Sequence, residues 1–364
     1  MHQTTRRGLL KTLPAGAALW SKPAVQAVLL PAHAQLTAPP HPAPRPADPS
    51  LFITIWRIAA ANESITIPTA ANNGGGYDYT VDWGDGSAGA AHTGDAKHTY
   101  AAPGDYEVRI SGAFPRVYFN NRGDKDKLVD VKQWGNVAWT SMERAFYGCA
   151  NLELSAADSP DLSRVSSLAY MFRGCVRLHA PRLADWHVGS VMNMRYMFAE
   201  AAAFNQALGT WEVGAVTDMR YMFAGARAFN QDLGSWDVRS VTNMRWMFSG
   251  AHAFNQDLGS WDVSAVTDMD YMFVLASAFN QDIGSWDVSA VRTMVSMFLG
   301  ATLSTANYDA LLSGWSVIAA GESALQRGVK FHAGGSRYSS AAQAARDTLT
   351  GAPNNWTITD GGRQ

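Results

Sequence analysis

From Trp211 to Gly234 the chain reads WEVGAVTDMRYMFAGARAFNQDLG. Nearly the same string returns at Trp236 as WDVRSVTNMRWMFSGAHAFNQDLG and at Trp261 as WDVSAVTDMDYMFVLASAFNQDIG. Tryptophans stand at 186, 211, 236, 261 and 286, a constant step of 25. Met-Phe pairs at 197–198, 222–223, 247–248, 272–273 and 297–298 keep the same step. Weaker copies at Met171-Phe172 and Ala145-Phe146 bring the count to seven blocks between 131 and 300. A fixed period of this length constrains the fold more than any composition does. Each unit is too small to bury its own apolar face, so neighbouring units must stack.

Within one unit, Val216, Met219, Met222 and Phe223 recur at helical spacing. Thr217 stands where an N-cap would, Asp218 at the positive end of a helix dipole, and Gly225 where a helix would end. Two turns would be too short to persist alone. Leu208, Trp211 and Val213 mark a short strand with Trp211 and Val213 on one face. The expectation is an α/β, leucine-rich-repeat-like solenoid over 113–300, with a parallel sheet on one side and short helices on the other.

The repeated WDVSAVTDMDYMF and ASAFNQDIG strings resemble those of bacterial BspA-like leucine-rich-repeat surface proteins. The first copy, Ala145 to Leu152 (AFYGCANL), is similar to the AFxGCxxL form of other members. The resemblance covers 115–360. It implies an exported, non-enzymatic surface or secreted protein of the adhesion or binding kind, and names no ligand.

The flanks differ in character. Residues 1–34 read as a leader: Thr5 to Lys11 (TRRGLLK) resembles the twin-arginine export motif, and Ala32-His33-Ala34 is an A-x-A-like cleavage site. Residues 35–50 are Pro-rich and read as an extended linker. Residues 51–112 alternate apolar and polar residues around Asp85-Gly86, a hairpin pattern. Asp82 to Gly86 (DWGDG), followed by His98-Thr99-Tyr100 and Tyr106-Glu107-Val108, resembles a PKD-type immunoglobulin-like domain, which implies a β-sandwich. Residues 113–140 are expected to cap the stack at its start, and 301–364, which leave the period, to cap its end.

Several columns run through the repeats. Tyr170, Tyr196, Tyr221, Trp246 and Tyr271 lie roughly opposite the expected buried helix face and form an aromatic stripe for protein or glycan contact, or else rungs covering one another. Glu212, Asp237, Asp262 and Asp287 alternate with inward Trp and Val, so they are expected to face solvent. Adjacent strands lie about 4.8 Å apart, and like charges opposite one another are unfavourable. Either a cation or basic ligand offsets that, or the carboxylates cap turns. Asp232, Asp257 and Asp282 repeat at the preceding turn. Asn205, Asn230, Asn255 and Asn280 are expected to form a ladder of side-chain amides bonding the next coil. The methionine stripe and the Trp column read as core. Cys149 and Cys175 share one repeat position, within reach of a disulfide on adjacent rungs or as two small buried residues. Asp82 and Asp85 are either turn carboxylates or calcium ligands; no other cofactor is implied.

The chain carries 29 basic and 31 acidic residues, and four of the basic ones lie in 1–34 with no acid. The remainder is net acidic, which argues against nucleic acid as a partner. No apolar run reaches the length of a membrane span. Histidines are scattered, and no nucleophile elbow, P-loop or dinucleotide fingerprint is present. The functional expectation is an exported, non-enzymatic protein in the periplasm, at the cell surface or outside. It would recognise protein or polysaccharide through the repeats. The competing expectation is a structural spacer or self-associating coat, and the oligomeric state is left open.

Overall fold

A computed structural model describes residues 48–70 and 76–364. The leader and most of the Pro-rich linker lie outside the described residues. The described chain opens with antiparallel pairing. Strands β1 (Phe52–Ile58), β3 (Asp78–Asp82), β4 (Ala90–His92), β6 (Gly104–Ala113), β7 (Leu128–Gln133) and β8 (Glu153–Leu154) form one sheet in the order β4-β3-β6-β1-β7-β8. Strands β2 (Glu63–Ile67) and β5 (Ala96–Tyr100) pair separately. The alternation read from the sequence is what this pairing uses: Tyr79 and Val81 on β3 are buried while Asp78 and Thr80 are exposed.

The sheet does not close, and it does not stop at residue 112. β7 pairs antiparallel with β1, Thr54 facing Val131, and β7 then pairs in parallel with β8. β8 passes the pairing on through single parallel bridges, beginning with Glu153 to His179. Phe52 on β1 packs edge-on against Trp139 at 5.1 Å and stacks on Trp134 at 5.9 Å, so the core is continuous from the sheet into the first coil. A self-contained PKD-type sandwich is therefore corrected to an open six-stranded sheet with a separate strand pair.

The expected α/β leucine-rich-repeat-like solenoid is also corrected. Between 155 and 304 there is no α-helix and no strand; the repeats are successive tight turns, joined to their neighbours by isolated bridges such as Asn193–Asp218, Asp218–Asn243 and Asn243–Asp268. The backbone donors of one unit show why. The N–H groups of Met219, Tyr221, Phe223 and Gly225 bond carbonyls one coil on, at Asn243, Arg245, Met247 and Ser249. Those of Met222, Ala224 and Ala226 bond back three residues, to Met219, Tyr221 and Phe223. The Arg220 N–H donates to Asp218 Oδ1 at 3.0 Å. Every donor from 219 to 226 is thus satisfied without a helical i→i−4 bond. Tyr221 sits at φ 57°, which breaks any right-handed helix at its centre. The expected strand is a turn as well, closed by the Trp211 N–H donating to the Leu208 carbonyl. Thr217 caps nothing helical; its hydroxyl donates to the Met192 carbonyl of the preceding coil at 3.3 Å.

What the period does build is a stack of identical side-chain layers. Met219, Met222 and Phe223 and their equivalents are fully buried. Phe198, Phe223, Phe248, Phe273 and Phe298 stack in file, with centroids 5.3 to 5.7 Å apart. The end of this file is closed by helix α1 (Thr305–Trp315), capped by the Ser304 hydroxyl, with helix α2 (Gln343–Thr350) and the parallel pair β9 (Lys330–His332) and β10 (Thr357–Thr359). Met294 bridges to Phe331, which joins the last coil to this block.

Candidate functional site

The aromatic column is the most regular surface feature of the repeats. Tyr170, Tyr196, Tyr221, Trp246 and Tyr271 are all half-buried, and all lie in the left-handed region at φ 57 to 60°. Their rings lie face to face: Tyr170 on Tyr196 at 4.6 Å, Tyr196 on Tyr221 at 4.2 Å, Tyr221 on Trp246 at 5.6 Å, Trp246 on Tyr271 at 4.2 Å. Each ring covers its neighbour, so the column presents edges and hydroxyl groups to solvent rather than faces. Burial, with the neighbouring Tyr221 hydroxyl, pushes the Tyr196 phenol up to about 12, so it remains a hydrogen-bond donor at neutral pH.

Arginines flank this column, and the sequence reading missed them. Arg195, Arg220 and Arg245 each stand one residue before a column aromatic, at the 25-residue step, so the spacing that exposed the rings also marked the cations. Arg195 lies 5.3 Å from the Tyr170 ring centre and donates to the Tyr170 hydroxyl at 3.2 Å. Arg173 lies over Tyr147, Tyr170 and Tyr196 at 5.0 to 5.7 Å. Arg245 lies over Tyr271 and pairs with Asp270 at 3.2 Å. Asp270 also accepts from the Thr293 hydroxyl and the Val295 N–H.

The acidic columns lie elsewhere on the coils and cap turns. Asp237 Oδ1 accepts from the Arg239 guanidinium at 2.7 Å, Asp262 Oδ1 from the Ser264 hydroxyl and N–H, and Asp287 Oδ1 from the Ser289 N–H. The hydrogen bonds from Arg239 hold the Asp237 carboxyl below its ordinary range. Glu212 is exposed. Asp232, Asp257 and Asp282 each accept the N–H two residues on, at 2.8 Å. These local bonds are the turn-capping arrangement for Asp237, Asp262 and Asp287.

The amides form a continuous ladder. Asn205 Oδ1 accepts from the Asn230 N–H, Asn230 Oδ1 from Asn255, and Asn255 Oδ1 from Asn280, at 2.8 to 2.9 Å. Asn280 Oδ1 accepts the Ser304 N–H at 2.7 Å, one residue before α1. The Trp column is buried, and the indoles of Trp211, Trp236, Trp261 and Trp286 each donate to a carbonyl 28 residues back, as Trp236 does to Leu208. Cys149 and Cys175 are buried free thiols, and Cys175 Sγ donates to the Phe146 carbonyl at 3.2 Å. Burial pushes both thiols well above their ordinary range.

Asp82 and Asp85 occupy turns. Asp82 Oδ1 accepts from the Gly84 N–H at 3.1 Å, and Asp85 accepts from Ser87 and meets His98 Nε2 at 2.7 Å. Burial pushes the Asp85 carboxyl up, and the bonds from Ser87 and His98 together outweigh it and bring it below its ordinary range. Among the described residues no group of three or more His, Cys, Asp or Glu is placed to hold a metal ion.

The family described as "Mycoplasma protein of unknown function, DUF285" matches residues 140–245 and 230–323, just over half of the chain and the whole of the regular stack. The chain belongs to the DUF285 family. That membership accords with the repeat surface protein kinship read from the Trp and Met-Phe columns. The DUF285 match includes every member of the aromatic column from Tyr170 to Tyr271 and, of the six-stranded sheet, only β8; the other five strands lie before 140. No curated protein matches the chain, and no solved structure does. Among the described residues of this DUF285 member, no helix is long and apolar enough to cross a membrane.

Proposed function

We propose that this DUF285 protein is an exported, non-enzymatic binding protein that recognises protein or polysaccharide outside the cytoplasm through the side of its repeat stack. The observation that carries the reading is the aromatic column. Five bulky residues hold the left-handed conformation on consecutive coils, a conformation that disfavours any β-carbon. At another left-handed position of the same repeat the chain uses glycine, at Gly174, Gly225, Gly250 and Gly300. Keeping aromatics where glycine is the easier choice is the kind of backbone cost retained at contact surfaces. Tyrosine, tryptophan and arginine are also the residues that dominate binding energy when they anchor interfaces.

The twin-arginine-like leader supports export. The columns of carboxylates cap turns rather than converge in a cleft, which favours recognition over hydrolysis. The test is capture of envelope components and arrayed glycans by the mature chain, with the double variant Tyr221→Ala, Trp246→Ala beside it. Capture by the wild type that falls at least about tenfold in the variant, as expected on losing two anchors, supports the reading. Undiminished capture by the variant moves binding off this column. No capture, with large assemblies on sizing, favours the spacer or coat reading.

A further inference from the structure

The chain has twelve tyrosines, and they meet one another in different ways. Tyr77 and Tyr79 meet edge to face at 6.2 Å, as do Tyr308 and Tyr338 at 6.5 Å. Tyr147 is tilted against Tyr170 at 6.0 Å. Tyr100 and Tyr106 lie 4.0 Å apart with their planes at 30°. Tyr100 is fully buried, and these two hydroxyls donate to different carbonyls, Trp83 and Ala102. The aromatic column supplies the near-parallel, half-buried pairs: Tyr170 on Tyr196 at 4.6 Å and 10°, and Tyr196 on Tyr221 at 4.2 Å and 8°.

Charge separates these two pairs. Arg144, Arg173 and Arg195 lie 5.1, 5.7 and 5.3 Å from the centre of the Tyr170 ring, and Arg195 donates to its hydroxyl at 3.2 Å. Positive charge beside a ring opposes the withdrawal of an electron. Among the described residues no guanidinium lies over Tyr221; its chain neighbour Arg220 is turned to Asp218 at 2.6 Å. Tyr221 is therefore the most readily oxidised phenol of the column, and Tyr196 is closer to it than Trp246, at 4.2 against 5.6 Å. The Tyr196 N–H donates to the Arg220 carbonyl at 2.9 Å, which pins the two coils in register at this point. The two hydroxyls lie side by side, so the rings are superposed head to head, with ortho carbons in van der Waals contact. Atoms held at contact distance react far faster than the same atoms meeting from solution.

We propose that Tyr196 and Tyr221 are an oxidative cross-linking site, joined to each other as dityrosine by hydrogen peroxide acting through a peroxidase. One peroxide supplies both oxidising equivalents. Each phenol gives up one electron and its hydroxyl proton and becomes a phenoxyl radical. The peroxide takes both electrons and both protons and leaves as two waters. The unpaired electron of a phenoxyl ring is shared with its ortho carbons, and one carbon–carbon bond forms between an ortho carbon of Tyr196 and one of Tyr221. Each of those carbons then loses its hydrogen as a proton while each ring oxygen regains one, which restores both phenols. The chain is left two hydrogens lighter. The new bond ties consecutive coils through their side chains and closes a loop between positions 25 residues apart. It is independent of the binding function proposed above, because it needs the stacked rings and an oxidant but no ligand.

The experiment treats the full chain with hydrogen peroxide and a haem peroxidase at low protein concentration. It reads dityrosine fluorescence, the chain mass under denaturing conditions, and the tryptic peptides by mass spectrometry. Cleavage after Arg195, Arg220 and Arg227 should release residues 196–220 joined to 221–227, two hydrogens lighter than their sum, from chains of monomer mass. Tyr196→Phe and Tyr221→Phe keep the ring and the stack but remove the phenol. Each should lower the dityrosine yield at least about tenfold, because the remaining pairs lack this contact geometry. Tyr170→Phe should leave the yield unchanged. Melting temperatures of the three variants separate a lost phenol from a lost fold. A main product joining Tyr100 to Tyr106 or Tyr170 to Tyr196, cross-links formed chiefly between chains, an undiminished yield from folded Tyr221→Phe, or no dityrosine at all each overturns the proposal.

Discussion

At the scale of single residues, the repeat shows what is imposed by the backbone and what is chosen by the side chain. The coil fixes two left-handed positions per turn of chain. At the glycine position two rungs depart from the rule: Glu200 at φ 63° and Leu275 at φ 59°. Leu275 is also 53% exposed, so its side chain contributes little burial to set against the strain. Leu275→Gly, which elsewhere would cost stability, should here leave it unchanged or raise it by up to about 1 kcal/mol, the left-handed strain less the entropy of a new glycine. A denaturant midpoint corresponding to a loss above about 1 kcal/mol would show that Leu275 packs in a way its exposure hides. A second residue-scale case is electrostatic. Burial and the neighbouring Asp270 charge, only partly offset by the Asp270 N–H and Arg245, raise the Asp268 carboxyl above its ordinary range. The folded state therefore holds this proton more tightly than the unfolded chain. Its ionised form is a burden fully present above the raised value and absent below the unfolded value of about 3.9. The equivalent rungs carry Asn193 and Asn243, whose side-chain oxygens make the same turn bond. Asp268→Asn should thus keep the turn, raise the melting temperature at pH 7, and lose that advantage as pH falls towards 4. A constant difference from pH 7 to pH 3 would contradict the assignment.

At the scale of the repeat, the sequence announced its period and its buried columns but not its backbone. Val216, Met219, Met222 and Phe223 are all in the core; what they do not form is a helix. Consecutive tight turns closed by i→i−3 bonds place every third residue inward, as in Val216 to Val213, Met222 to Met219 and Phe229 to Ala226. That spacing imitates the helical one, and periodicity alone cannot separate them over eight residues. The positive φ of the aromatic column was equally hidden, because aromatics are poor candidates for that region. The flanking arginines were legible at the 25-residue step but lay outside a search for apolar stripes. The in-register asparagines point to the forces that hold the coils together. Asn230 Oδ1 serves both the Asn255 N–H and Gln256 Nε2, at 2.9 and 2.8 Å. Asn230→Ala should cost about 1 kcal/mol, because the orphaned N–H lies at the surface, where water replaces part of the bond. Hydrogen exchange at Asn255 should accelerate while exchange in the Phe223 layer does not. Acceleration along the entire stack would mean that the ladder holds the fold together globally rather than rung by rung.

At the scale of the molecule, the boundary between sheet and stack decides which pieces can exist alone. The sequence placed it at 112, where the period-two pattern of the β-strands gives way. Pairing crosses that line. β7, at 128–133, lies between β1 and β8 in one sheet, and its register with β1 runs from Gln133 opposite Ile53 to Leu128 opposite Trp56. The Gln133 side chain donates to the Leu51 carbonyl at 2.8 Å, and Lys127 bonds Glu63, Asp124 and the Ser64 carbonyl. Phe52 and Trp56 supply aromatic surface to Trp134, Trp139 and Phe119. Removing residues before 113 would strip β7 of its partner strand and expose Trp134 and Trp139, the first large side chains of the stack. Losing the contacts of a single buried Phe or Trp costs about 3–5 kcal/mol, and stacked repeats depend on a closed terminus for solubility. A chain of 48–364 should therefore melt in a single transition, whereas 113–364 should aggregate or lose its near-ultraviolet circular dichroism. The converse fragment, 48–112, keeps β1 paired with β6 but loses the layer over Phe52, and should be unfolded as well. A soluble 113–364 with native near-ultraviolet signals would show that the coils nucleate their own end, and that the sheet is an appended unit after all.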